Sequence, residues 1–211
     1  MFRSRLPNFA TAVVAIVLSI FNESAHARNV SNVLIYSHTV GFRHDSIPAA
    51  VAAMTERGPS YGINFVNTED PSRFNDAYLS QFDALFFLHT TGDVLDEEGQ
   101  EAFQNYLDNG GNFVAAHAAA NCLPESTVFE ATLGSQFAYH PQFQNATYVV
   151  ERPDHPSTVG LPARWRVPDE VYNFVNDPRR HGAVVVLSVD EDSYEGECAL
   201  SGFPRQLFPP S

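Results

Sequence analysis

The chain of 211 residues contains no lysine, and all 12 of its basic residues are arginines. Chemistry that needs a lysine amine, whether a Schiff base or the lysine of a phosphate-binding loop, is therefore excluded. Cysteine is nearly as scarce. Cys122 and Cys198 are the only two; they could pair in an oxidising compartment, but two cysteines do not make a disulfide framework. Positive charge is short as well. With 25 acidic residues against 12 basic ones the formal net charge is −13, which argues against nucleic acid as a partner, because phosphates demand a basic face. Beyond the first 27 residues no apolar run approaches the roughly 20 residues that cross a bilayer.

The apolar run that is present lies at the start. Arg3 and Arg5 precede Phe9–Phe21, and Ala25-His26-Ala27 offers small residues at an A-x-A cleavage site. Charge, a short apolar core and then small residues read as a secretory signal peptide over residues 1–27, with the mature protein starting near Arg28. The expected location is extracellular, with no membrane span once the signal is removed. Its removal takes away two arginines and one glutamate and moves the net charge from −13 to about −14. That balance suits a soluble protein acting on neutral or cationic small molecules. Asn29-Val30-Ser31 and Asn145-Ala146-Thr147 are glycosylation sequons, usable only if the export pathway glycosylates. The mature length suits one domain with a substantial core; the oligomeric state is not legible.

Short apolar runs alternate with helical stretches. Strands are expected at Asn32–Ser37, Gly62–Asn67, Asp83–Leu88 and Asn112–Ala116, later at Ala146–Glu151, and strongly at Ala183–Ser188. Helices are expected over Ser46–Arg57 and Asp96–Asn109, with Gly110 as a stop. Runs buried on both faces and joined by helices indicate a doubly wound parallel α/β sheet.

In such sheets ligands bind beyond the carboxyl ends of the strands. Those positions hold Ser37-His38 after the first strand, His89-Thr90-Thr91 after the third and His117 after the fourth, in "GGNFVAAHAAAN". The loop "HTVGFRHDS" adds Arg43, His44, Asp45 and Ser46. For each histidine taken alone a hydrogen-bonded structural role is the simpler reading; four of them at one sheet edge favour a crevice. Asp45 or Ser46 also suits a helix cap, and Asp96 with Gln100 resembles a helix start. Further on, "DEVYNF" sets Asp169, Glu170, Tyr172 and Asn173 together, downstream of Trp165 and Arg166. Carboxylates beside aromatic rings suit a sugar, whose hydroxyls need acceptors and whose ring faces pack on aromatic planes. An ordinary amphipathic loop has the same composition.

"NVLIYSHTVGFRHDSIPAA", "FFLHTTGDVLDEEGQEAFQNYLDNGGNFVAAHAAAN", "FAYHPQFQNATYVV", "DHPSTVGLPARWRVPDEVYNF" and "GAVVVLSVDEDSY" together resemble the trehalose-utilisation (ThuA-like) family, most of all its secreted fungal members. The resemblance runs from Asn32 to Tyr194. It implies a class I glutamine-amidotransferase-like fold, that is, a flavodoxin-like three-layer sandwich spanning residues 28–196, and a link to carbohydrate metabolism. In amidotransferases the turn after the fourth strand carries a cysteine nucleophile. Here that turn carries His117, and the nearest cysteine, Cys122, lies five residues on. An imidazole cannot form the thioester that glutamine hydrolysis needs, so glutaminase activity is not expected. The chain also departs from the family at its end. Family members continue into an "HPIAW" segment, a glycine-rich turn and a final strand ending in "GH", whereas residues 197–211 show no period and read as an irregular tail. A truncated product, poorly soluble or inactive, and a genuine short variant both fit this end.

Three functions stay open. One is an enzyme on a small molecule of the saccharide class, with His44, His117 and Glu170 as catalytic groups, and with His38, Arg43, Asp45, His89, Thr90, Thr91, Asp169 and Tyr172 binding substrate. For a conventional glycosidase, Asp45 with Glu170 is the one carboxylate pairing to test. The second is a metal-dependent hydrolase: no cofactor is demanded, yet three histidines, or two and a carboxylate, make a set for a divalent metal such as zinc, although no HExxH spacing exists. The third is a module that binds a saccharide without turning it over.

Overall fold

The computed structural model describes residues 30–196. The leader at 1–27, Cys198 and the tail at 197–211 lie outside them, and so does any pairing of Cys122 with Cys198.

Four strands build the central sheet: β1 (Asn32–Tyr36), β2 (Asn64–Thr68), β3 (Ala84–Leu88) and β4 (Asn112–Ala116), all parallel, in the order β2-β1-β3-β4. Between them run helices α1 (Ile47–Arg57), α2 (Asp76–Leu79) and α3 (Glu97–Asp108), and α4 (Thr127–Leu133) follows β4. This is the mixed α/β architecture of the flavodoxin type. Strand order reverses between β1 and β3, so the carboxyl ends of those two strands frame the crevice where such sheets take ligands.

Side chains alternate across a strand, and the burial pattern follows. Leu34 and Tyr36 of β1 and Leu85 and Phe87 of β3 point to one layer, where Leu79, Phe103, Tyr106 and Phe129 from α2, α3 and α4 meet them. The Phe87 ring is central, with ring centroids of Tyr36, Phe103, Phe113 and Phe129 at 5.2, 5.6, 5.2 and 5.6 Å. The Tyr36 hydroxyl donates to the Val94 carbonyl at 2.5 Å, which satisfies the one polar atom this ring carries into the core. The alternate residues Val33, Ile35 and Leu88 are also buried, as is Ile47 of α1. Coverage is incomplete at β4, where Val114 is 51% exposed.

Helix α3 ends as the sequence suggests, but its two glycines do different work. Gly110 adopts φ +79° with open space around it, the left-handed turn that releases the chain from the helix. Gly111 lies under the Tyr106 ring, where a Cβ would come within 2.1 Å of a ring carbon. At the start of α3, Asp96 accepts from the Gly99 amide at 2.8 Å, whereas Gln100 turns to the Leu95 carbonyl. At α1 the expected cap is absent: Ser46 occupies the position without a side-chain cap bond. Pro48 stands second in this helix and has no N–H to give, and the Ser46 hydroxyl lies 3.3 Å from His89 Nε2 instead.

The second half of the described chain is antiparallel, which the alternating pattern does not anticipate. β5 (Phe137–Tyr139) pairs with β8 (Asn173–Phe174), and β6 (Gln144–Val150) lies between β7 (Arg164–Asp169) and β9 (Leu187–Val189). The strand expected at Ala183–Ser188 is thereby corrected. Only Leu187–Val189 is strand, it pairs with β6 and not with the central sheet, and Val184 is 64% exposed. Val186 uses its carbonyl to cap the end of β6, accepting from the Glu151 and Arg152 amides. A continuous apolar run does not by itself distinguish a buried parallel strand from such a segment.

The aromatic cluster and the β4 edge should respond differently to truncation. Phe87→Ala is expected to lower the unfolding free energy by about 3–5 kcal/mol, and Val114→Ala by less than about 1 kcal/mol, both read from urea unfolding.

Candidate functional site

His117 leaves the sheet at the end of β4. Its Nε2 lies 3.2 Å from a carboxylate oxygen of Glu170, which follows β7, and 3.2 Å from Nε2 of His44, in the loop after β1. The same Glu170 oxygen is 4.0 Å from His44 Nε2 and 3.9 Å from His140 Nε2. Three histidines from three separate segments thus converge on one half-buried carboxylate. Glu170 is held in turn by Asp169, whose Oδ1 accepts from the Glu170 amide while its Oδ2 accepts from the Tyr148 hydroxyl at 2.6 Å.

Aromatic rings line this cluster. The Tyr172 ring lies 4.3 Å from His117 and 4.4 Å from Phe137 by centroids, and it stacks on His140 at 5.6 Å with 9° between the planes. Phe42 meets His44 edge-on at 4.9 Å. Phe42, His44, Phe137, His140, Glu170 and Tyr172, with Thr91 and Asn121, bound a cavity of about 310 Å³. A larger cavity of about 1050 Å³ lies on the other side of the 169–173 segment, so Glu170 and Tyr172 form a wall common to both. His117 borders the larger one with Val184 and Leu187.

His89 completes the histidine group without reaching the carboxylate. It takes φ +56° at the end of β3 and stacks on His44, with centroids 4.9 Å apart and 24° between planes. Burial, then the neighbouring His44 and His117, lower its pKa from 6.5 to about 4. His117 is lowered as well, first by burial and then by His44, against the opposing pull of Glu170 and Asp169. Burial raises the Tyr172 hydroxyl out of the ordinary range, reinforced by Glu170 and Asp169. Nδ1 of His44 and of His89 are buried without a hydrogen-bond partner.

Among the residues singled out from the sequence, His44, His117, Glu170, Tyr172 and His89 come together, and Thr91 lines the small cavity. Thr91 acts on the loop through its backbone: its carbonyl accepts from the Val40 and Gly41 amides, and its hydroxyl donates to the Phe42 carbonyl. Asp169 positions Glu170 and the Tyr148 hydroxyl. Arg43 turns away to a bidentate pair with Glu69 at 2.8 and 3.1 Å. Thr90 is fully buried and its hydroxyl faces Cys122 Sγ. His38 contacts the Tyr36 ring at 6.1 Å and is absent from the lining of the small cavity. Asp45 is exposed and absent from the lining of the small cavity. The sequence reading missed His140. Its only signal was a histidine beside aromatics in "FAYHPQ", in a region whose antiparallel pairing was not anticipated.

The site can accept a proton, donate one, or offer lone pairs. Nε2 of His44, Nε2 of His117 and a Glu170 oxygen lie within 4.8 Å of one another, the arrangement a metal ion uses. Cys122 is fully buried, and burial pushes its pKa up to about 12.

The lowered pKa of His89 carries a sign. The unfolded chain binds this proton more readily than the folded one, so the contribution is complete above pH 6.5 and is lost as pH falls toward about 4. The ring is part-exposed and screened, so the loss is expected to be on the order of 1 kcal/mol. Urea unfolding at stepped pH should show stability falling across this window, and His89→Asn, which keeps the left-handed backbone accessible, should flatten the slope.

Comparison with known proteins places this geometry in a family. The family model described as ThuA, trehalose utilisation, matches residues 32–209, reaching past Tyr194 into the tail. Among solved structures, a ThuA-like protein from Bacteroides uniformis has a TM-score of 0.67 and 26% identity, over 78% of this chain and 69% of that one. A ThuA-like protein from Parabacteroides merdae has a TM-score of 0.54 at 20% identity, over 68% of this chain and 62% of that one, and this likeness concerns the fold alone. No curated protein matches the chain. With the family match covering nearly all the described residues, this chain belongs to the ThuA (trehalose utilisation) family.

Proposed function

We propose that this chain is an exported carbohydrate-acting protein whose reactive centre is the His117–Glu170 pair, with His44 and His140 beside it, and whose ligand is a saccharide held in the small cavity that Glu170, His44 and His140 bound. The observation that carries the reading is the 3.2 Å approach of His117 Nε2 to the Glu170 carboxylate, beside the Tyr172 ring that lines the small cavity with Glu170 and Phe137. Hydroxyl groups find acceptors in the carboxylate and the imidazoles, and sugar ring faces find flat aromatic surfaces. The family description, trehalose utilisation, points to the same ligand class.

The chemistry this pair favours is proton transfer. His117 has a pKa below the ordinary histidine range, so its ring is neutral at pH 7 and can take a proton from a hydroxyl or a water. Glu170 then stabilises the imidazolium that forms. A glycosidase of the two-carboxylate kind is disfavoured. Such enzymes need a second free carboxyl roughly 5–9.5 Å from the first; Asp45 does not line the small cavity, and Asp169 is engaged with Tyr148 and the Glu170 amide. Export is supported by residues 1–27, and the exposed Asn145 of β6 offers a glycan acceptor.

Two measurements test the reading. Products from a panel of disaccharides should appear with the wild-type protein, and Glu170→Gln should slow their formation by about 10²–10⁴-fold while calorimetry still records binding. Binding without any product in the wild-type protein would reduce the function to a saccharide-binding module. The second concerns glutamine. Cys122 is buried and protonated, so the purified protein should release no ammonia from glutamine, and Cys122→Ala should leave saccharide turnover unchanged. Ammonia release abolished by Cys122→Ala would reverse the assignment.

A further inference from the structure

We propose that His44, His117 and Glu170 together bind a divalent transition-metal ion, zinc by the character of the donors, where His44 and Glu170 of the small cavity meet His117. The inference rests on the reading of this pocket as the reactive centre and adds its cofactor; with the ion bound, the His117 Nε2 lone pair is engaged and the role of proton acceptor passes to His140.

The first argument is a proton count. A neutral imidazole nitrogen either carries a hydrogen or offers a lone pair. His117 Nε2 lies 3.2 Å from both His44 Nε2 and the Glu170 oxygen. If His117 holds the hydrogen, it can satisfy Glu170 or His44, but not both. If His44 holds it and donates to His117, then His117 has nothing to give Glu170. A cation among three lone pairs resolves the conflict, with all three atoms donating to it.

The second argument is spacing. A tetrahedral zinc with bonds of about 2.0–2.1 Å sets its ligand atoms about 3.3 Å apart. The three atoms here are separated by 3.2, 3.2 and 4.0 Å. They arrive from three separate segments: the loop after β1, the end of β4 and the segment after β7. Two imidazoles and one carboxylate suit zinc or another late transition metal better than magnesium or calcium, which favour all-oxygen sets. Three protein ligands leave a position open for water or a sugar hydroxyl, as in catalytic zinc sites.

His140 fits beside such an ion. Its Nδ1 lies 2.8 Å from the Pro141 carbonyl, which can only accept, so that nitrogen carries the hydrogen. Its Nε2 therefore keeps a lone pair 3.9 Å from the Glu170 oxygen, placed to take a proton. The ion, when bound, would supply Lewis acidity that lowers the pKa of a coordinated hydroxyl or water.

The test needs no substrate. Purified protein is stripped with a chelator and titrated with ZnCl2 against a chromophoric competitor, with CoCl2 used in parallel for its visible spectrum. One equivalent should bind per chain. Glu170→Gln and His117→Ala should each weaken binding more than about 100-fold, since loss of outer partners alone costs 10–100-fold. His155→Ala, at an exposed histidine hydrogen-bonded to Ser157, should leave it unchanged, with circular dichroism confirming that each variant is folded. Absence of stoichiometric zinc, or equal binding by wild type and both site variants, would overturn the proposal. Zinc bound without saccharide turnover would leave it standing and remove the reading above; turnover by a protein that binds no stoichiometric zinc would do the reverse.

Discussion

Parallel pairing of β1 with β3, in the register that sets Tyr36 beside Phe87, is the constraint on which the rest of this structure depends. It buries two aromatic rings side by side and fixes the level at which both strands leave the sheet. It also places the strand-order reversal between them. Everything polar in the site is built outward from that level: the loop carrying His44 departs after β1, His89 terminates β3, and His117 terminates β4 one strand further on. The loop after β1 is then tied to the segment after β3 through the Thr91 carbonyl, so the first histidine cannot drift from the other two.

The carboxylate is contributed differently. Glu170 comes from the antiparallel half of the chain, at the end of β7, and is oriented by the neighbouring Asp169 and by Tyr148. A rigid parallel layer thus supplies the imidazoles, and a smaller layer supplies the acid and most of the aromatic wall. Burial explains the electrostatics. Imidazoles packed against one another resist a second positive charge, so His89 and His117 both favour the neutral form. Burial likewise holds the Cys122 thiol against ionisation, just past the β4 turn.

The parallel core was largely legible in the sequence. Runs such as Asn32–Tyr36 and Ala84–Leu88 are short, apolar and bounded by polar turns, and the structure returns them nearly unchanged. The histidines at strand ends were legible because topology alone brings strand ends together. The antiparallel half was not. Gln144–Val150 and Arg164–Asp169 carry mixed composition whose pairing is set by distant partners, and the apolar Ala183–Val186 mimics a buried strand while lying beside a cavity. His140 was missed for that reason. Arg43 and Thr90 were assigned to the site by proximity in sequence, but Arg43 is drawn off by Glu69 and the Thr90 side chain points into the core toward Cys122.

The contact between Gly111 and the Tyr106 ring reaches further than the turn it sits in. Because that ring leaves no room for a Cβ, it fixes where β4 can begin. Strand side chains alternate faces with a period of two. The seven residues from Gly111 to His117 therefore act as a ruler: inserting or deleting one residue between them would carry the imidazole to the opposite face of the sheet. Drift along Asn112–Ala116 can change the identity of its residues, but not their number.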